Sequence, residues 1–88
     1  EFPETLRLAA DVGMYAQTLM LSLANAGIGS CPQTSISCFP DMVRKELGVE
    51  SHFKLLMGLS FGYVDETDAA NNFRTEREAL EETTKFHF

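Results

Sequence analysis

Gly27-Ile-Gly-Ser-Cys-Pro-Gln-Thr-Ser35 is the stretch on which the reading of the fold turns. It follows an apolar helical segment and precedes a second, shorter helix opened by Pro40. Gly27 and Gly29 release the first helix, and Pro32 fixes its own φ while biasing Cys31 away from helical geometry. Gln33, Thr34 and Ser35 then leave backbone N–H groups free to meet a ligand. The stretch reads as a rigid, amide-presenting loop wedged between two helices. Such a loop suits the edge of a flat polar heterocycle better than a metal ion or a nucleophile.

On its N-terminal side the chain reads as one helix from Leu6 to Ala26. Arg7, Asp11, Thr18, Ser22 and Asn25 fall on one narrow stripe, and most of the remaining circumference is Leu, Val, Met and Ala. A helix apolar over so much of its surface is buried in a larger body or lies at an oligomer interface. Arg7 and Asp11 interrupt it too early for a membrane span of about 20 apolar residues. Gly13 costs about 1 kcal/mol relative to Ala inside a helix, so the sequence predicts a close neighbour there.

On the C-terminal side, Pro40-Asp41 matches a helix start and Gly48 a helix stop, with Arg44 and Lys45 on a solvated face near the end. Phe53 to Val64 is long, rich in β-formers and nearly continuous in its hydrophobicity, as a strand buried on both faces reads. Gly58 and Gly62 share one face of that strand and leave room for helix packing or a flat ligand. Asp65 to Asn72 is an acidic loop. It delivers Arg74 and Arg77, which make a candidate anion site, with surface ion pairs to Glu76 or Glu78 as the competing reading. In the tail, Phe86 and Phe88 alternate with Lys85 and His87, a strand-like pattern that must join a sheet or lie across a partner.

Composition narrows the function. The chain has 88 residues, 44% of them apolar, which is ordinary for one globular domain and too small to bury more than roughly 60–65% of its unfolded surface. Thirteen acids against seven bases give a net charge of −6, which argues against nucleic acid or an anionic membrane as the partner. The two cysteines, Cys31 and Cys38, form no CxxC motif and read as ordinary thiols of a reduced, cytoplasmic chain rather than a disulfide scaffold. His52 and His87 have no convergent ligand set, so no metal site is expected. No Ser-His-Asp or Cys-His constellation assembles, so no catalytic side chain is assigned. Glu1-Phe2 carries no initiator methionine and no signal pattern and reads as a cloning scar. One strand cannot make a sheet, so the chain reads as part of a larger protein.

Four blocks, taken in order, carry a resemblance: Asp11-Val-Gly-Met-Tyr-Ala-Gln-Thr-Leu-Met-Leu, Gly27-Ile-Gly-Ser-Cys-Pro-Gln-Thr, Gly58-Leu-Ser-Phe-Gly-Tyr and Asn72-Phe-Arg-Thr-Glu-Arg-Glu-Ala-Leu-Glu-Glu. Together they resemble the C-terminal part of the FMN-dependent nitroreductase family, with residues 1–88 as that portion of a single domain. The resemblance implies an α+β fold, a mainly antiparallel sheet flanked by helices, in an intertwined homodimer. The long helix then lies at the dimer interface, and the C-terminal arm adds a strand to the partner's sheet.

By position, the resemblance sets Pro32, Gln33, Thr34 and Ser35 beside the isoalloxazine ring, with the Thr34 N–H directed at flavin N5. Such a donor favours the oxidised ring, whose N5 accepts a hydrogen bond. Arg77 matches the phosphate-binding arginine. A second basic residue often stands two places earlier, where this chain has Thr75, and Arg74 is the substitute. The implied chemistry is a ping-pong hydride transfer from NAD(P)H through FMN to a small-molecule acceptor, nitroaromatic or quinone-type. The family's N-terminal flavin contacts are absent from these residues, so residues 1–88 alone are expected to bind FMN weakly or not at all and to turn nothing over. Two alternatives stand beside this: a truncated dimerisation module, or a flavin-binding module without turnover.

Overall fold

The computed structural model describes residues 4–88; Glu1 and Phe2, read above as a cloning scar, lie outside the described residues. Helix α1 runs over Glu4–Asn25, strand β1 over Gly29–Gln33, helix α2 over Pro40–Leu47, strand β2 over Gly58–Gly62 and a single helical turn, α3, over Leu80–Thr83. Short 3₁₀ turns occupy Ser35–Cys38 and Ala69–Asn72. The strands pair antiparallel, with Gly29 opposite Gly62, Cys31 opposite Ser60 and Gln33 opposite Gly58. The helices and antiparallel sheet that the resemblance implies are present, although the residues alone were read as holding one strand.

The end of α1 is set by a Schellman motif. Gly27 sits at φ 77°. Its N–H donates to Ala24 O at 3.0 Å, and the Ile28 N–H donates to Leu23 O at 2.9 Å. A left-handed residue at this position satisfies the last helical carbonyls, and glycine takes it without a Cβ clash. One residue further on, β1 begins.

Several expectations are corrected. Gly27–Ser35 is not a loop throughout, because Gly29–Gln33 forms β1. Proline is tolerated there because β1 has a neighbour on one side only among the described residues, and an edge strand can spare a donor. The apolar run Phe53–Val64 is a strand only over Gly58–Gly62, since its ladder ends where the five-residue β1 ends. The tail forms no strand: Leu80–Thr83 is helical, and Phe86 and Phe88 stack on each other at 6.2 Å between ring centroids. Among the described residues no strand lies beside it, and the partner's sheet that the resemblance gives it belongs to another subunit. Gly13 likewise has nothing within 4 Å of where a Cβ would stand, so no neighbour of this chain requires a glycine there.

Helix α2 matches its sequence signals. Pro40 opens it, and Gly48 at φ 65° closes it. Arg44 is not solvated as expected but works as a brace. Its Nε donates to Phe53 O at 2.7 Å and its Nη1 to Asp41 Oδ1 at 2.8 Å, which ties α2 to the segment that leads into β2. Its side chain is 19% exposed, because the stem lies along apolar neighbours while the guanidinium finds partners.

No described residue is buried, and the accessible surface is 8246 Å². A folded monomer of 9.8 kDa exposes only about 5,200 Å². Leu6, Leu8, Val12, Met14 and Leu21 of α1 all remain exposed, as do Phe39, Met42 and Leu47 around α2. Surfaces of this kind are contact faces, which agrees with the helix read as apolar around most of its circumference. Among the described residues no helix is long and apolar enough to cross a membrane.

Candidate functional site

Thr34 is the pivot of the site. Strand β1 ends at Gln33, Thr34 turns at φ −89° and ψ −21°, and the 3₁₀ turn starts at Ser35. Within the turn, the Ser37 N–H and Oγ donate to Thr34 O at 3.0 and 2.6 Å, and the Phe39 N–H donates to Ile36 O at 3.1 Å. The N–H groups of Thr34, Ser35 and Ile36 therefore find no acceptor inside the turn. A helical start leaves its first donors unpaired, so this corner presents a row of amides to whatever lies beside it. Pro32 stiffens the approach. Of the residues expected to offer free amides, Gln33 lies in β1 opposite Gly58, while Thr34 and Ser35 stand at the strand end and the 3₁₀ turn together with Ile36, which the sequence reading did not include.

An open cleft of about 440 Å³ lies toward the other end of the β1–β2 ladder. Gly29, Ser30 and Cys31 of β1 line it, with Ser60 and Gly62 of β2 and then Tyr63, Val64, Asp65, Asn71 and Arg74. This cleft has no signature in the sequence, because it exists only once β1 and β2 pair. Arg74 thus stands beside the start of β1, away from the Pro32–Ser35 corner. Arg77 does not line the cleft; its Nη1 donates to Thr75 Oγ1 at 2.6 Å and to Glu76 O at 3.0 Å. Among the described residues the arginine–carboxylate pair is Arg44–Asp41, so neither Arg74 nor Arg77 is neutralised by Glu76 or Glu78. Cys31 and Cys38 are both exposed free thiols. No set of three or more His, Cys, Asp or Glu converges to hold a metal among the described residues.

The floor of the cleft is fixed by side-chain caps. Asp65 Oδ1 accepts from Thr67 Oγ1 at 2.6 Å and from the Thr67 N–H at 2.9 Å, while Asn71 Nδ2 donates to Asp65 O at 2.6 Å. Asp68 caps the next turn through the Ala70 N–H. These Asx-type bonds give the acidic loop its order without apolar packing. The Thr67 hydroxyl, and after it the Thr67 N–H, hold the Asp65 carboxyl below the usual carboxylate range. A depressed carboxylate stabilises the folded loop above its unfolded pKa of about 3.9, and that contribution is lost as pH falls through the lower folded value. Thr67→Val removes the hydroxyl donor and is expected to raise the Asp65 pKa toward its ordinary value. Carboxyl NMR titration of the two proteins reads this directly, and unchanged midpoints would refute it.

The nitroreductase family pattern matches residues 4–63. Nitroreductase NfnB of Mycolicibacterium smegmatis is 58% identical over 80 residues, covering 91% of this chain and 34% of the relative. The 4-nitrobenzoate reductase of Pseudomonas putida is 34% identical, covering 86% of this chain and 34% of its own length. This chain therefore spans about a third of the length of these curated relatives. The crystal structure of the FMN-dependent NfnB from Mycobacterium smegmatis in complex with NADPH superposes with a TM-score of 0.90 at 55% identity, over 94% of this chain and 37% of that one. The FMN- and NADPH-dependent NfnB from sphigopyxis sp. strain HMH superposes at 0.86 and 33% identity, over 100% of this chain and 38% of its own. The order of the elements, the amide-presenting corner and these matches agree, and the chain belongs to the nitroreductase family.

Proposed function

We propose that residues 1–88 form the C-terminal portion of a single nitroreductase-like domain in an FMN-dependent oxidoreductase, which passes a hydride from NAD(P)H through FMN to nitroaromatic or quinone-type acceptors. The observation that carries this reading is the row of unpaired N–H groups at Thr34, Ser35 and Ile36. Flavin offers acceptor atoms along one edge of a planar ring, and fixed backbone donors suit such an edge because they cost no side-chain entropy to order. Pro32, Gln33, Thr34 and Ser35 would hold the ring, and Arg74 and Arg77, free of carboxylate partners, would meet the phosphate through their planar forks. When bound, FMN supplies the hydride chemistry itself, so the protein's part is binding, orientation and electrostatics. That part needs no acid, base or nucleophile from this chain, which fits the lack of a catalytic constellation. Exposed thiols and an acidic surface support a cytoplasmic protein, and the uncovered apolar flank of α1 supports a homodimer.

The large apolar surface also favours a second reading, a dimerisation or flavin-binding module without turnover. One experiment separates them: titrate FMN into the protein, follow quenching of its fluorescence, then add NADPH and a nitroaromatic acceptor. The full-length protein is expected to show saturable quenching and then acceptor-dependent NADPH consumption, while residues 1–88 alone are expected to bind FMN weakly or not at all and to consume none. Binding without consumption in the full-length protein would leave the module reading, and FMN that stays free there would remove the flavin site.

A further inference from the structure

The geometry points to Gly58 as a positioning residue for the Thr34–Ile36 amides, an inference that rests on the flavin reading of that corner. Gly58 opens β2 directly opposite Gln33, the last residue of β1 before the corner. A Cβ built on Gly58 would stand 3.3 Å from Ile36 Cγ2, 3.9 Å from Ile36 Cδ1 and 3.9 Å from Gln33 O. Ile36 thus rests its side chain in the gap left by the missing Cβ, on the backbone of β2. The corner is held from both sides, by the ladder at Gln33 and by this contact at Ile36.

The contact has no other explanation in the backbone. Gly58 is not at positive φ; among the described residues only Gly27 and Gly48 are. An alanine would fit the strand conformation and even raise its β-propensity, so whatever it costs comes from displacing Ile36. At 3.3 Å, Ile36 must retreat by a few tenths of an ångström. Ile36 is β-branched and stiff at χ1, so it retreats by moving its own backbone, which carries the amide row. Gly62 on the same face is the contrast, with nothing within 4 Å of its Cβ site. Gly58 sets the angle at which the donors face the ring and touches no ligand itself.

The test is a double-mutant cycle with Gly58→Ala and Ile36→Ala, using FMN as the probe. In the native background Gly58→Ala is expected to weaken FMN about three- to tenfold, since small misplacements of fixed groups are costly. It is also expected to raise the midpoint potential of the bound flavin, because misaligned donors lose more with the oxidised ring, whose edge nitrogen accepts. In the Ile36→Ala background, where the obstructing carbons are gone, the same change has no further effect. Amide NMR shifts of Thr34, Ser35 and Ile36 in flavin-free protein move in the first background and stay in the second. Unmoved amides and unchanged FMN affinity in Gly58→Ala would overturn the positioning role while leaving the flavin site intact. If the native protein takes no FMN at all, the flavin reading fails and this role with it.

Discussion

Gly29→Ala is expected to destabilise the protein by about 1–3 kcal/mol, the range for forcing an extra carbon into a packed contact. The new Cβ would stand 2.5 Å from Val64 Cγ2, a separation that real Cβ atoms essentially never show, and 3.6 Å from Gly62 O. Val64 can give only a little, because its β-branched side chain has few rotamers to choose from. The strain therefore goes into the ladder, at the pair Gly29–Gly62 that starts it. Those same residues line the cleft, so its mouth changes shape along with the stability. Thermal unfolding followed by circular dichroism reads the loss. Val64→Ala removes the obstructing methyl carbon, so adding it to Gly29→Ala should recover most of the stability. A double variant as unstable as the single one would show that the glycine is needed for another reason.

Thr34→Pro is expected to weaken FMN at least about tenfold relative to Thr34→Ala, close to 1.4 kcal/mol and typical of a hydrogen bond lost without replacement. The substitution is chosen because it deletes the Thr34 N–H with little other disturbance. Thr34 has φ −89°, near the value a proline ring imposes, and Gln33 before it lies in β1 with the extended conformation that proline requires of its neighbour. The Thr34 carbonyl, which accepts from Ser37, is retained. Thr34→Ala removes the hydroxyl and keeps the N–H, so the comparison isolates one donor. Equal FMN affinity in the two variants, measured by fluorescence quenching, would show that this amide does not meet the flavin.

How far the sequence revealed the molecule depends on which forces shape each part. Helix α2 was legible to the residue, because Pro40 and Gly48 act locally and nothing distant overrides them. Helix α1 was legible for the same reason, with its apolar circumference visible in its period. Strand β1 was not. Gly-Ser-Cys-Pro-Gln holds no good β-former, and it becomes a strand only because β2 pairs with it from 29 residues away, where Ser60 Oγ reaches Cys31 O. The same dependence cut β2 short: Phe53–Met57 has β-forming residues, but no β1 residue remains to pair with them.

The candidate site divides in the same way. The amide corner was read only in part from Pro32-Gln33-Thr34-Ser35: Thr34 and Ser35 leave the strand as the polar run suggests, but Gln33 is drawn into the ladder by β2 and Ile36 joins the turn. The cleft could not, because its walls come from both strands and from the Asp65–Arg74 loop. Arg74 and Arg77 look equivalent in sequence, three residues apart, yet only Arg74 faces the cleft while Arg77 turns back onto Thr75 and Glu76. That difference follows from the path of an extended segment, which carries no periodic signal.

The Schellman joint between α1 and β1 has a mechanical consequence. A linker of several residues would absorb a tilt of the helix in its own dihedral angles. Here only Ala26, Gly27 and Ile28 separate the two elements, and two short hydrogen bonds clamp them to the last turn of α1. Helix and strand therefore behave as one lever with its elbow at Gly27. The strand is the output arm, about 13 Å from Gly29 to Gln33 at 3.3 Å per residue. A change in the direction of α1 would therefore carry the start of β1 with it, because three clamped residues leave little slack between them.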